Sequence, residues 1–130
     1  MSKIMQYIVD RAKEEAWKTE VERGKVGAVL FTDSGYIVAA ACNRRVNGVK
    51  KVYTIHAEEM LLAKAFRVKA LERLGRLNLI VVRVKRSEPF GIYMAKPCAR
   101  CRELLARTNV RVFYSDRNGK IRRLRTKRIV

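Results

Sequence analysis

Leu77-Asn78-Leu79-Ile80-Val81-Val82-Arg83-Val84 decides the fold. The stretch is apolar at every position except Asn78 and Arg83, and it is rich in β-branched residues. A strand with one solvated face alternates apolar and polar residues, whereas a near-continuous apolar run belongs to a strand covered on both faces. The chain is therefore built around a central strand with a layer on either side. On its C-terminal side, Val110 to Tyr114 reads as a strand, Asp116-Arg117-Asn118-Gly119 as a turn, and Lys120 to about Thr126 as a final strand. A parallel return needs a crossover of about a dozen residues. This connection is far shorter, so the last pair is expected to be antiparallel.

On the N-terminal side, Ser2 to Glu22 reads as an amphipathic helix. Ile4, Ile8, Ala12 and Ala16 recur at i, i+4, and Met5 and Val9 widen the stripe. Ser2 is the expected N-cap and Gly24 the stop. Trp17 borders the stripe, where packing is favoured over a role as a stacking surface. Val26 to Thr32 and Tyr36 to Cys42 form a hairpin about Asp33-Ser34-Gly35. Asn43 to Thr54 reads as a polar, basic loop with a local turn at Asn47-Gly48.

Ala57 to Leu74 carries a helical pattern (Met60, Leu61, Ala65, Val68, Leu71) stopped at Gly75. Lys85 to Lys96 reads as a loop, and Cys98 to Arg107 as a shorter helix opened by Pro97. The order α-β-β-α-β-α-β-β, without repeats or a separate linker, implies a sheet covered by helices. It is expected to form one domain over residues 1–130, with a basic C-terminal segment at 120–130.

Composition narrows the setting. A chain of 130 residues with 48% hydrophobic content can bury one core. No apolar run approaches the ~20 residues of a membrane span. The first residues lack a secretory h-region, so a cytoplasmic protein with no membrane partner is expected. Three cysteines, two of them in one C-x-x-C, suit metal binding better than a disulfide framework.

The formal charge is +18, from 30 Lys and Arg against 12 Asp and Glu. Such an excess points to a polyanion or a phosphorylated ligand. A thermophile's ion-rich surface and an acidic partner subunit are the plainer readings. Gln6 is the only glutamine, which favours a hot habitat, but thermophile surfaces usually balance their signs.

The chemistry concentrates in His56-Ala57-Glu58 and Pro97-Cys98-Ala99-Arg100-Cys101. His56 is the only histidine. With Cys98 and Cys101 it makes a three-ligand zinc set that leaves the fourth tetrahedral position to water, the mark of a catalytic site. Cys98 and Cys101, spaced i, i+3 at a helix start, face one way, and the helix N-terminus favours their thiolates. Bound zinc lowers the pKa of its water towards ~7. Glu58, two residues beyond His56, can approach that water without ligating the metal. It would take the water's proton and deliver protons to a ring nitrogen and to departing ammonia. The competing reading is a structural zinc site with Cys42 as fourth ligand; otherwise Cys42 is a small buried apolar residue. Glu59 reads as a solvated helix residue.

These residues match the H-x-E…P-C-x-x-C signature of zinc nucleobase deaminases, and over nearly its whole length the chain resembles the cytidine deaminase superfamily. Val26-Gly27-Ala28-Val29-Leu30 through Cys42-Asn43 looks like the family's first hairpin, and the two metal motifs follow it. The loop before Pro97 and the Asn118-Gly119 hairpin are closer to the free-cytidine branch. In tRNA adenosine deaminases and APOBEC-type enzymes, by contrast, the last strands run parallel.

Two departures stand out. The free-cytidine branch usually has Cys as its first ligand, where this chain has His56. That branch also places Glu two residues after the asparagine that contacts ribose. The asparagine is matched by Asn43, but the second position is Arg45, which suits a phosphate or points to solvent.

The resemblance implies that backbone groups near Val26 to Ala28 and at Ala57 hold the base edge. It also places Ser115 and Asp116 where polynucleotide deaminases read the neighbouring nucleotide. Arg44, Arg45, Lys50 and Lys51 crowd one loop near the expected pocket. Phe90 and Tyr93 either stack on bases or pack within their loop. The run from Lys120 to Arg128, including Arg122, Arg123 and Arg125, reads as a phosphate track in preference to a solvated arm.

The expected architecture is a three-layer α/β (αβα) sandwich with a five-stranded mixed sheet and one zinc ion per chain. The expected activity is hydrolytic deamination of cytosine to uracil in single-stranded RNA or DNA. The alternatives are a deaminase of free cytidine, deoxycytidine, CMP or dCMP; a non-catalytic zinc-containing nucleic-acid-binding protein; and, disfavoured by the hairpin, a deaminase of adenine in a tRNA loop. Family members are often dimers or tetramers, so a homo-oligomer is a further implication of the resemblance.

Overall fold

The protein is described by a computed structural model that covers residues 2–19, 25–45, 54–55, 77–85, 88–93 and 110–124. Helix α1 spans Lys3–Trp17, and the strands are β1 (Lys25–Thr32), β2 (Ile37–Cys42), β3 (Arg44–Arg45), β4 (Thr54–Ile55), β5 (Leu77–Lys85), β6 (Glu88–Tyr93), β7 (Arg111–Ser115) and β8 (Ile121–Arg123). The main sheet runs β2-β1-β5-β7-β8. β5 pairs antiparallel with β1 along its length and parallel with β7. The β7–β8 pair is antiparallel, as its short turn requires. These five strands form the expected mixed sheet, and a sixth, β6, joins it by pairing with β5.

β5 is covered on both faces, as its composition demands: Leu77, Leu79, Ile80, Val81, Val82 and Val84 are all at most 1% exposed. Alternation divides the core in two. Val29, Phe31, Ile80 and Val82 face α1 and pack on Ile8, Val9 and Ala12. Ala28, Leu30, Ala41, Leu77, Leu79, Val81, Val112 and Leu124 form the opposite face. Burial on both faces is the condition of a three-layer sandwich. The helices expected at 57–74 and 98–107 lie outside the described residues.

α1 sits unusually close to β1, and Gly27 permits it. A Cβ at Gly27 would lie 2.1 Å from the Ala12 carbonyl oxygen and 2.6 Å from the Ala16 nitrogen. Ser2 caps the helix by accepting from the Met5 N–H at 3.1 Å. The helix ends at Trp17, short of the expected Glu22. Its last turn tightens, the Lys18 N–H donating to the Glu15 carbonyl at 3.1 Å, and the Thr19 hydroxyl is captured by the Asn43 carbonyl.

Two expectations are corrected. The segment Lys85 to Lys96, read as a loop, contains β6, which pairs antiparallel with the Arg83–Lys85 end of β5. Pro89 and Gly91 obscured it; a proline is tolerated in a strand at a sheet edge, where no ladder N–H is needed. Asn43 to Thr54, also read as a loop, contributes the two-residue strands β3 and β4, with Arg44 opposite Ile55 and Arg45 opposite Thr54. Pairs this short carry no periodicity to detect. At the far end of the sheet, Asp33 Oδ1 accepts from Asn78 Nδ2 at 2.8 Å and from Arg111 Nη2 at 2.5 Å. This ties the β1–β2 turn to β5 and β7.

Candidate active site

Because β5 and β7 are parallel and β1 antiparallel to both, one end of the sheet gathers the carboxyl ends of β2, β5 and β7 and the start of β1. In open α/β sheets, ligands bind outside the carboxyl ends of parallel strands. A single row crosses four strand ends there. Asn43, just past β2, bonds Val26 on β1; Val26 pairs with Arg83 on β5; and the Arg83 N–H donates to Ser115 Oγ on β7 at 3.4 Å. Asn43 (6% exposed), Ser115 (0%), Asp116 (7%) and Thr19 (5%) are four of the buried polar residues, all at this end.

Asn43 is held from three directions. Its N–H donates to the Val26 carbonyl at 3.1 Å, and its Oδ1 accepts from the Val26 N–H at 3.1 Å. Its carbonyl accepts from the Thr19 hydroxyl. Thr19 in turn accepts at its carbonyl from Lys25 Nζ at 3.1 Å, and that ammonium lies 5.7 Å from the centre of the Trp17 ring. Thus Trp17 packs under Lys25.

Of the backbone groups near Val26 to Ala28 expected to hold a base edge, the Val26 N–H donates to Asn43 Oδ1 at 3.1 Å. The side chain of Ala28 is fully buried in the face opposite α1. Thr19 falls within the helical pattern of the sequence, and no local signal marks a residue whose partner is 24 positions away.

Asp116 organises the β7–β8 turn. Its Oδ1 accepts from the Asn118 N–H and the Lys120 N–H, each at 2.9 Å, and its Oδ2 accepts from Arg122 Nε at 2.7 Å. The bond from Arg122, with help from the two backbone N–H groups, holds the Asp116 carboxyl below its usual range, although partial desolvation opposes this. The same pairing raises the Arg122 guanidinium above its own. Asp116, expected at a nucleotide contact, is engaged by the turn and by Arg122. Around it Arg117, Lys120, Arg122 and Arg123 are exposed. Arg122 keeps 61% side-chain exposure despite its ion pair.

The approaches to both metal motifs belong to this neighbourhood. β4 ends at Ile55, one residue before His56, and is paired with β3, which follows Asn43 directly. β6 pairs with the carboxyl end of β5, and its last residue, Tyr93, precedes Pro97 by four positions. His56, Ala57, Glu58, Cys98 and Cys101 themselves lie outside the described residues, as do Lys50, Lys51 and Arg125. Arg44, Arg45, Phe90 and Tyr93 are placed by their backbone, on β3 and β6.

Among the described residues no group of three or more His, Cys, Asp or Glu could hold a metal ion. The donor set His56, Cys98 and Cys101 fits zinc by its chemistry, one imidazole and two thiolates with a position left for water. Cys42 is a buried free thiol opposite Gly27.

Comparison with known proteins agrees with this arrangement. The model of the cytidine and deoxycytidylate deaminase zinc-binding region matches residues 2–115. Among solved structures, the fold is similar to dCMP deaminase from the cyanophage S-TIM5, with TM-score 0.65 and 22% identity over 90% of this chain and 86% of that one. It is also similar to cytidine deaminase from Burkholderia pseudomallei, with TM-score 0.65 and 19% identity over 97% and 94%. Cytidine deaminase from Mycobacterium tuberculosis gives TM-score 0.59 and 22% identity over 92% and 89%. None of the curated proteins matches this chain in sequence. Among the described residues no helix is long and apolar enough to cross a membrane.

Proposed function

The chain belongs to the cytidine and deoxycytidylate deaminase family, whose cofactor is zinc, and we propose that it deaminates cytosine to uracil in single-stranded RNA or DNA. One observation carries the choice of a polymer. The β7–β8 hairpin, with Arg117, Lys120, Arg122 and Arg123 exposed, stands at the same end of the sheet as Asn43 and Val26, in a chain of formal charge +18. A backbone of phosphates leading away from a flipped or unpaired base would meet those cations.

In this reading His56, Cys98 and Cys101 hold the zinc. Bound there, zinc supplies Lewis-acid activation of a water molecule. Glu58 accepts the water's proton and returns protons to the ring nitrogen and to the leaving ammonia. Asn43, fixed by Val26 and Thr19, borders the pocket on the sugar side, and Arg45 approaches a phosphate. Ala57 and the strand start at Val26 line the base.

A second reading has its own support. The similar cyanophage enzyme is known in complex with dCMP and dUMP, so a free nucleotide is the alternative substrate, with Arg45 meeting its phosphate.

Mass spectrometry on zinc-loaded protein decides between them. Cytidine, CMP, dCMP, single-stranded RNA and single-stranded DNA are offered in parallel. Uracil is expected in a polymer, with at least about a hundredfold loss in Glu58→Gln. Conversion of monomers alone would establish the second reading. Polymer binding without ammonia release would leave a zinc-containing binding protein.

A further inference from the structure

We propose that Thr19 is a positioning residue for the metal site, acting through Asn43 and the β3–β4 pair. The inference rests on the reading of His56 as a zinc ligand. Among the described residues, Thr19, Asn43 and one strand pair link the end of α1 to Ile55, the residue before His56. The Thr19 hydroxyl donates to the Asn43 carbonyl, and Asn43 is bonded twice to Val26 at 3.1 Å. The next residues, Arg44 and Arg45, pair with Ile55 and Thr54. Ile55 is followed at once by His56.

Among the described residues β3 and β4 pair with each other and not with the main sheet. A two-residue ribbon is not stable alone, and Asn43, the residue just before it, ties its start to β1. The Thr19 hydroxyl makes one of the bonds that set Asn43, and Thr19 is buried, 5% exposed. Groups that orient a metal ligand from outside the coordination sphere govern metal affinity about 10–100-fold. The device also reports the packing of α1: the Thr19 carbonyl is held by Lys25 Nζ at 3.1 Å, so helix, first strand and entry strand meet in one junction.

The test compares Thr19→Val, which removes the hydroxyl and keeps the shape, with Thr19→Ser, which keeps the hydroxyl. Val9→Ala, in the same helix but away from the junction, is the control for lost stability. Each full-length protein is loaded with zinc. Release to a chromogenic chelator, Tm, and the visible absorption of the cobalt-substituted protein are then measured. Thr19→Val is expected to release zinc about tenfold faster and to alter the cobalt spectrum. Thr19→Ser is expected to restore both, and Val9→Ala to lower Tm while leaving both unchanged.

Release from Thr19→Val no faster than from Val9→Ala, or a failure of serine to restore it, would overturn the inference. If Thr19→Val does not fold, Lys25→Met loosens the Thr19 carbonyl instead. A faster release then supports the junction, and an unchanged one overturns it. Wild-type protein that takes up no zinc would overturn the reading of the site itself, a result distinct from any difference among the variants.

Discussion

Gly27 shows how one missing side chain places a site. The helix backbone at Ala12 and Ala16 occupies the space a Cβ would need, at 2.1 and 2.6 Å. These atoms are main chain, held by helical hydrogen bonds, and cannot turn aside as a flexible side chain could. Gly27→Ala must therefore push α1 off the sheet, at a cost of about 3 kcal/mol, the upper part of the usual range for overpacking. Urea denaturation with an unchanged m value would register it, and a loss below about 1 kcal/mol would mean that the helix has room to shift. The displacement would also carry Thr19 away from Asn43, so the site should loosen along with the core. Gly27 was legible as part of a family-like stretch; the reason for it was not, because the atoms it must avoid lie 11 and 15 positions earlier. The proposed zinc donors and Glu58 are the opposite case, since the proposal rests on residue type and spacing alone.

The β7–β8 hairpin is the element whose stability should follow pH. Asp116 binds two backbone N–H groups and Arg122, and Gly119 takes the positive φ of 76° that closes the turn. The carboxyl is held below its usual range, so the folded state favours the ionised form. The sign follows from linkage: this stabilisation is complete above the unfolded carboxylate pKa and is lost as pH falls through the lowered folded value. Asp116→Asn should therefore lower Tm at pH 7, and the gap to wild type should close as the pH is taken below about 4. Tm measured across that range decides it, and a gap that stays constant would mean that the ion pair contributes nothing. The antiparallel pairing was legible because a short turn permits nothing else. So was the doubly covered β5, from its composition. β6 was hidden behind Pro89 and Gly91, and β3 and β4 were hidden by their length. The early end of α1 depends on Thr19 meeting Asn43, a long-range bond with no local trace.

At the scale of the whole molecule the charge is legible and its placement is not. The sequence totals +18, but only the parallel pairing of β5 with β7 brings the Arg117-to-Arg123 turn to the Asn43 end of the sheet. Among the described residues β8 is also an edge strand, and exposed cations on such an edge oppose pairing with a second copy of itself. The edge is suited to an anion. Within it Arg122 already faces Asp116, so Lys120 and Arg123 are the cleaner phosphate contacts. If they neutralise phosphates, binding to a single strand weakens with salt by a slope of about 0.7 per contact on logarithmic axes. Lys120→Gln combined with Arg123→Gln should flatten that slope by about 1.4, while Arg122→Gln alone should change it less. The comparison needs fluorescence anisotropy of a labelled single strand over a range of salt, with catalysis blocked by Glu58→Gln. An unchanged slope in the double variant would remove this edge from the polymer's path and move the choice of substrate towards a free nucleotide.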